Sequence, residues 1–105
     1  MSPLSLYIEP VVHEARRELP GAVRQRLARL ITSLADGPRP HRTRALDVSA
    51  LNVPPKIEIR RFRLDRWRLV YAINEVEGWV WVLGLYRRPP YDYDDLEELL
   101  ARLQG

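Results

Sequence analysis

The segment from Arg60 to Tyr71, RRFRLDRWRLVY, limits what this chain can fold into more than any other. Apolar and charged residues alternate on both sides of Asp65 and Arg66, which is the pattern of two strands joined by a two-residue hairpin loop. Such a loop places Leu64 opposite Trp67. Because side chains alternate across a strand, one face of the hairpin is apolar and is expected to face the core: Phe62, Leu64, Trp67, Leu69 and Tyr71.

The opposite face of the same hairpin collects three arginines, Arg61, Arg63 and Arg68, with Arg63 directly across from Arg68. Like charges that face each other destabilise a sheet by up to about 1 kcal/mol, and folding does not require them. We therefore expect this face to bind an anion, for which a phosphate backbone is the natural candidate. The alternative is that the arginines extend into solvent or pair with Glu75, Glu77 or the acidic C-terminal segment.

Two isoleucines, Ile57 and Ile59, share the alternation of these arginines and would lie on the same face of the strand. Two explanations stay open. Either a β-bulge near Arg60 changes the alternation, or this part of the strand is covered on both faces.

The whole chain predicts an α+β domain in the order β-α-α-β-β-β-α, with a small antiparallel-rich sheet, a two-helix hairpin on one face and a C-terminal helix. The clearest helix is the second, because apolar residues recur at helical spacing from Val23 to Leu34. The predicted segments are a strand at SLYIEP, helices at 11–19 and 21–37, strands at 57–64, 67–74 and 79–87, and a helix at 94–104.

Residues 37–55 contain four prolines and no sustained period, so they are predicted to form a loop. Arg39, His41, Arg42 and Arg44 make this loop basic. It is either a plain connector or a segment that touches nucleic acid.

Composition narrows the class of protein. The 105 residues suffice for one domain and not for two, so residues 1–105 are treated as a single domain. The absence of cysteine excludes disulfides and cysteine-based zinc sites. No long apolar run and no secretion signal is visible, which favours a cytoplasmic protein. We expect neither a metal nor another cofactor, because no metal-binding constellation is visible.

Charge is unevenly distributed along the chain. Residues 56–88 carry eight basic and four acidic side chains, whereas residues 89–105 carry one arginine and five acidic side chains. The last predicted strand ends in GLYRRPPYDY, so Arg87 and Arg88 follow apolar residues and Tyr91 and Tyr93 come soon after. In a meander the end of this strand lies beside the middle strand, which would bring Arg87 or Arg88 near Arg68.

These segments resemble the RelE/ParE superfamily of toxins from type II toxin–antitoxin pairs, and more closely the RelE branch. The resemblance rests on YIEP near the start, the two-helix hairpin, RRFRLDRWRLVYAI and VLGLYRRPPY, and it covers nearly the whole chain. It implies that the chain has a RelE-like fold and that the protein cleaves mRNA in the ribosomal decoding site. It also implies a cognate antitoxin protein as a partner.

The resemblance also implies roles for individual residues. Arg61, Arg63 and Arg88 would bind RNA, and Arg68, Arg87 and Tyr91 would be catalytic. Arg88 is also the alternative to Arg87. Many relatives have a histidine where this chain has Tyr86, and either Tyr91 or Tyr93 is the functional tyrosine. The hydroxyl of an unperturbed tyrosine has a pKa of about 10. Tyr91 would therefore need nearby arginines to lower its pKa before it could act as a base.

Two other functions remain open at this level. A ParE-like toxin would bind and inhibit DNA gyrase and cleave nothing, and a degenerate member would only bind RNA or its antitoxin. The acidic C-terminal helix is expected to be able to fold back over Arg87 and Arg88 and cover the site.

Overall fold

A computed structural model of the protein describes residues 3–48 and 53–87. In chain order the elements are β1 (Ser5–Ile8), α1 (Pro10–Ala15), α2 (Gly21–Ser33), β2 (Thr43–Ala45), β3 (Glu58–Leu64), β4 (Trp67–Asn74) and β5 (Trp79–Arg87). The five strands form one sheet in the order β1-β5-β4-β3-β2, in which β1 is parallel to β5 and the other neighbours are antiparallel. The predicted α+β class is confirmed, and the predicted C-terminal helix lies outside the described residues.

The hairpin between β3 and β4 has the predicted register. Leu64 faces Trp67 and Arg63 faces Arg68. Asp65, the first loop residue, has a φ of 53°, in the left-handed region that aspartate tolerates better than most residues. The two-residue loop therefore fixes which side chains share a face of the sheet.

One face of the sheet, called here the helix face, packs against α1 and α2. Helix α1 begins with Pro10 at its first turn, where a missing N–H costs nothing, and continues as a 3₁₀ turn at Arg16–Glu18. Helix α2 presents the apolar stripe predicted from its spacing. The buried core on this face includes Leu27, Ile31 and Leu34 from the stripe and Phe62, Leu64, Leu69 and Tyr71 from the hairpin.

The other face of the sheet, called here the arginine face, carries a second and smaller apolar cluster. Its buried members are Ile57, Ile59, Val70, Ala72 and Leu83, and the partly buried residues around them include Leu46, Val48 and Val53 from the segment between β2 and β3. The β3–β4 ladder runs without a bulge from Glu58 to Leu64. This part of the strand is thus covered on both faces, the second of the two explanations for Ile57 and Ile59.

A bulge interrupts the pairing of β4 with β5 between Val70 and Tyr71. Tyr71 faces Val82 and Val70 faces Gly84, so Leu83 is the additional residue. A single additional residue exchanges the faces on which later side chains of the strand lie.

Strand β2 falls inside the stretch that was predicted to be a loop. It is only three residues long and pairs with β3 at the sheet edge. Prolines on both sides obscure it in the sequence. None of the helices within residues 3–48 and 53–87 is long and apolar enough to cross a membrane.

Candidate nucleic-acid interface

Four arginines line a cleft of about 300 Å³ along the seam between β2 and β3. We call it the arginine cleft; its lining residues are Arg42, Arg44, Arg61 and Arg63. Arg44 faces Arg61 directly in the β2–β3 ladder. Alternation along the two strands puts Arg44, Arg61 and Arg63 on the arginine face, and Arg42, in the turn before β2, lines the same cleft.

Two members of the cleft, Arg42 and Arg44, belong to the basic loop that the sequence left open as a connector or a nucleic-acid contact, and they were not assigned as site residues. Their signal is the alternation in HRTRAL, where Thr43 is buried and both flanking arginines are exposed. Alternation over three residues is too short to identify a strand without a known partner. The pairing with β3 is what brings these arginines to the predicted pair Arg61 and Arg63.

Arg68 lies on β4 beside the cleft, opposite Arg63 and next to Tyr86 of β5. Its side chain is half-buried, with Nε within the protein. A guanidinium held by surrounding packing needs little reorganisation to meet an anion. The structure thus brings Arg61, Arg63 and Arg68 together on one face, as the hairpin register predicted.

Arg87 lies on the helix face. It pairs with Trp67 in the β4–β5 ladder, whereas Tyr86 pairs with Arg68. Arg87 is exposed and lines a cavity of about 490 Å³ together with Glu14 and Glu18 of the helical segment. The bulge at Leu83 is the reason, because without it the alternation that starts at Trp79 and Trp81 would place Arg87 on the arginine face.

Tyr86 lies on the arginine face and its ring extends over Gly84. A Cβ at Gly84 would come within 2.7 Å of the Tyr86 ring and hydroxyl. Only glycine leaves room for the ring in this position. Tyr86 also packs against the second apolar cluster, so it joins that cluster to Arg68. The sequence marked Tyr86 only as a replacement for histidine.

Three further residues proposed from the sequence, Arg88, Tyr91 and Tyr93, lie outside the described residues. So does the acidic C-terminal segment. Their roles therefore stay predictions.

Two glutamates that could have neutralised the arginine face make other contacts. The Glu75 carboxylate accepts a hydrogen bond of 2.6 Å from Arg39 Nη2, and Glu77 Oε2 accepts one of 3.1 Å from Trp79 Nε1. The Arg39 guanidinium lowers the pKa of Glu75 below its usual range. Both carboxylates are held at the β4–β5 turn, at the opposite end of the sheet from the hairpin loop.

The chemistry that this arrangement supports is recognition of anions. Arginine forks bind phosphate oxygens in a planar, bidentate manner and stay charged at any physiological pH. Within residues 3–48 and 53–87, no three histidine, aspartate or glutamate side chains cluster in a way that could hold a metal ion. The site is a cationic surface suited to a phosphodiester backbone.

The fold and this surface define a small α+β protein whose partly exposed sheet face is cationic. No protein-family model and no curated protein matches the sequence. Solved structures do match. RelE in the archaeal RelE–RelB complex from Pyrococcus horikoshii is 22% identical with a TM-score of 0.71, over 84% of this chain and 98% of that chain.

Two bacterial structures agree. The match to the RelBE2 toxin–antitoxin complex from Mycobacterium tuberculosis has 16% identity and a TM-score of 0.61, over 82% of this chain and 99% of that chain. The isolated E. coli RelE toxin has 19% identity and a TM-score of 0.54, over 95% of this chain and 98% of that chain. The chain has the RelE toxin fold, which confirms the resemblance noted in the sequence at the level of fold.

Proposed function

We propose that this protein is the toxin of a type II toxin–antitoxin pair and that it inhibits translation by cleaving mRNA, on the ribosome and without a metal ion. The observation that carries the proposal is the arginine cleft, because it sets four cationic forks on one face of a RelE fold. Arg44 and Arg61 face each other directly in the β2–β3 ladder, which concentrates positive charge at this seam. A ribosomal target would make the cytoplasm the place of action.

The proposed reaction uses the RNA's own 2′-hydroxyl as nucleophile. Its oxygen attacks the adjacent phosphorus, its proton passes to a base, and the bond to the 5′-oxygen breaks as that oxygen takes up a proton. The products are a 2′,3′-cyclic phosphate and a free 5′-hydroxyl. Charge that develops on the phosphoryl oxygens must be stabilised, and fixed arginines do this without a metal.

The roles follow from these requirements and from the resemblance to RelE toxins. Arg61 and Arg63 hold the chain, Arg68 binds the scissile phosphate, and Arg87 or Arg88 is the proposed second ligand of that phosphate. Arg68 has the stronger geometric support, since Arg87 faces the helices; Arg88 is the alternative for the second position. Tyr91 is the proposed base, provided that neighbouring arginines lower its pKa.

The second phosphate ligand can be assigned by comparing two variants. Arg87→Ala should retain cleavage if Arg88 is the ligand, and Arg88→Ala should retain it if Arg87 is. Loss in both would mean that each is needed. Cleavage by Tyr91→Phe at the wild-type rate would contradict the assignment of the base.

A cognate antitoxin protein is the proposed partner. Two of the similar structures are complexes of a RelE toxin with its antitoxin. By analogy, we propose that this toxin is held inactive by a protein that covers its basic surface.

The experiment that tests the function is induced expression in bacteria followed by mapping of mRNA 5′ ends, with DNA supercoiling by gyrase measured in parallel. New 5′ ends in phase with codons would support the nuclease. Blocked supercoiling without new 5′ ends would contradict it and favour the ParE-like alternative. Harmless expression would favour a degenerate member.

A further inference from the structure

One arginine of the hairpin, Arg60, takes no part in the arginine face. It lies on the helix face, and its side chain is only 15% exposed. Burying a guanidinium is costly unless hydrogen bonds replace its contacts with water. The partners of Arg60 therefore indicate what it is there to hold.

Most of these partners belong to a single residue, Thr43 of β2. Arg60 Nε donates to Thr43 Oγ1 over 3.1 Å, and Arg60 Nη2 donates to the Thr43 carbonyl oxygen over 3.0 Å. The remaining guanidinium nitrogen, Arg60 Nη1, donates a hydrogen bond of 2.8 Å to Glu58 Oε2. Arg60 is thus hydrogen-bonded to both the side chain and the backbone of Thr43.

Thr43 stands between two residues of the cleft, Arg42 and Arg44. Its own side chain is buried on the helix face, whereas Arg42 and Arg44 line the cleft on the other face. Thr43 Oγ1 also donates to the Pro40 carbonyl oxygen over 2.8 Å. A three-residue edge strand has few ladder hydrogen bonds of its own, so these contacts fix its position.

Further contacts hold the segment before β2. Arg39 bridges Glu58 at 3.0 Å and Glu75 at 2.6 Å, and the Tyr71 hydroxyl donates to the Pro38 carbonyl oxygen over 2.7 Å. The Arg39 guanidinium, with a smaller contribution from Arg60, holds the pKa of Glu58 below its usual range. Glu58 therefore stays ionised and keeps its bond to Arg60.

The cleft held in this way has two levels. Arg44 and Arg61, which face each other in the ladder, form one level. Arg63 lies two residues further along β3 and forms the next level with Arg42, which precedes β2 and lines the same cleft. Two residues of a strand span about 7 Å, which is comparable to the separation of successive phosphates in a single-stranded nucleic acid. Each level offers a pair of guanidinium forks to one phosphate.

We propose that Arg60 is a positioning residue: from the helix face it fixes Thr43, and so sets the two levels of the arginine cleft at the spacing of two consecutive phosphates of single-stranded RNA. The inference rests on the proposed function, since it specifies how that site holds its substrate. Arg60 itself touches no RNA.

The test is the affinity of the full-length protein for a fluorescent 2′-O-methyl RNA hexamer, which lacks the free 2′-hydroxyl and cannot be cleaved. Arg60→Met should bind about tenfold more weakly, a loss equivalent to about 1.4 kcal/mol. Arg66→Met is the matched control, because it removes the same charge from an exposed loop position, and it should bind within about twofold of wild type.

A double-mutant cycle separates positioning from general damage. In the Arg42→Met/Arg44→Met background, Arg60→Met should weaken binding no further, because the side chains that it positions are gone. Loss of the two phosphate contacts should also reduce the slope of log affinity against log salt by about 1.4. Thr43→Val, which keeps the strand and removes the hydroxyl, should weaken binding less than Arg60→Met and serves if that variant does not fold.

The outcomes distinguish the two claims. A wild-type protein that does not bind the hexamer overturns the assignment of the arginine cleft to RNA binding, the observation that carries the proposed function. A wild-type protein that binds, together with a folded Arg60→Met or Thr43→Val variant of unchanged affinity, overturns the positioning role alone. A tenfold loss that persists in the Arg42→Met/Arg44→Met background overturns it as well.

Discussion

Glu58 joins the two arginines that organise the segment around β2. It accepts hydrogen bonds from Arg39 and from Arg60, and the Arg39 guanidinium is the main cause of its lowered pKa. A carboxylate whose pKa is lower in the folded state stabilises the fold above its unfolded pKa, about 4.3 for glutamate. This contribution is lost as the pH falls through the folded-state pKa.

The first prediction concerns the pH dependence of stability. Glu58→Gln should lower the free energy of unfolding at pH 7, and the difference from wild type should shrink as the pH falls below about 4.3. Urea unfolding at a series of pH values measures it, with Glu14→Gln on the exposed surface of α1 as control. A difference that stays constant down to pH 2 would contradict this role of Glu58.

The second prediction concerns Gly84, whose missing side chain makes room for Tyr86. In Gly84→Ala the new methyl group must push the Tyr86 ring off the sheet, because the two would lie 2.7 Å apart. Because Tyr86 is only partly buried and its ring can turn aside, we expect a loss of about 1 kcal/mol in unfolding free energy. The loss should disappear in a Tyr86→Ala background, where nothing obstructs the methyl group. An equal loss in both backgrounds would show that another contact limits this position.

At the scale of elements, the β3–β4 hairpin fixes the arginine face and its loop is the point on which the register depends. Asp65 is the only residue other than glycine with positive φ in the ranges that the structure describes. A β-branched residue in that conformation is strained by roughly 1–2 kcal/mol.

The third prediction follows. Asp65→Val should destabilise the protein by about 1–2 kcal/mol, and Arg66→Val, at the neighbouring loop position, should cost much less. Thermal unfolding followed by circular dichroism compares them. Equal losses would contradict the assignment of the strain to Asp65.

Local alternation and spacing predicted the elements whose partners are close in sequence. The β3–β4 hairpin needs only a two-residue loop, and α2 needs only its own apolar stripe. Strand β2 could not be predicted, because it is held by Arg60, seventeen positions away from Thr43. The face of the sheet on which Arg87 lies could not be predicted either, because it depends on the bulge at Leu83.

The residues of the candidate site also divide into those that local sequence predicts and those that depend on distant pairing. Arg61, Arg63 and Arg68 follow from the hairpin register alone, so the sequence was sufficient for them. Arg42 and Arg44 join them only through the pairing of β2 with β3. Tyr86 reaches Arg68 only because the β4–β5 register shifts.

At the scale of the molecule, the sheet has two faces with different tasks. The helices cover one face and build most of the core. On the other face a second apolar cluster covers the end near Ile57 and Trp79, and the arginines occupy the end near the hairpin loop. This division leaves a cationic surface on a rigid element, which is where a precise phosphate-binding site is best built.

The proposal that this surface cleaves RNA can be tested in a cell-free translation extract. Wild-type protein should cut a defined mRNA in phase with codons. The folded variant Arg61→Ala/Arg63→Ala should cut at least about tenfold more slowly, as loss of more than about 1.4 kcal/mol of transition-state binding requires. Arg66→Ala should cut like wild type. Cleavage by the Arg61→Ala/Arg63→Ala variant at the wild-type rate would contradict the account.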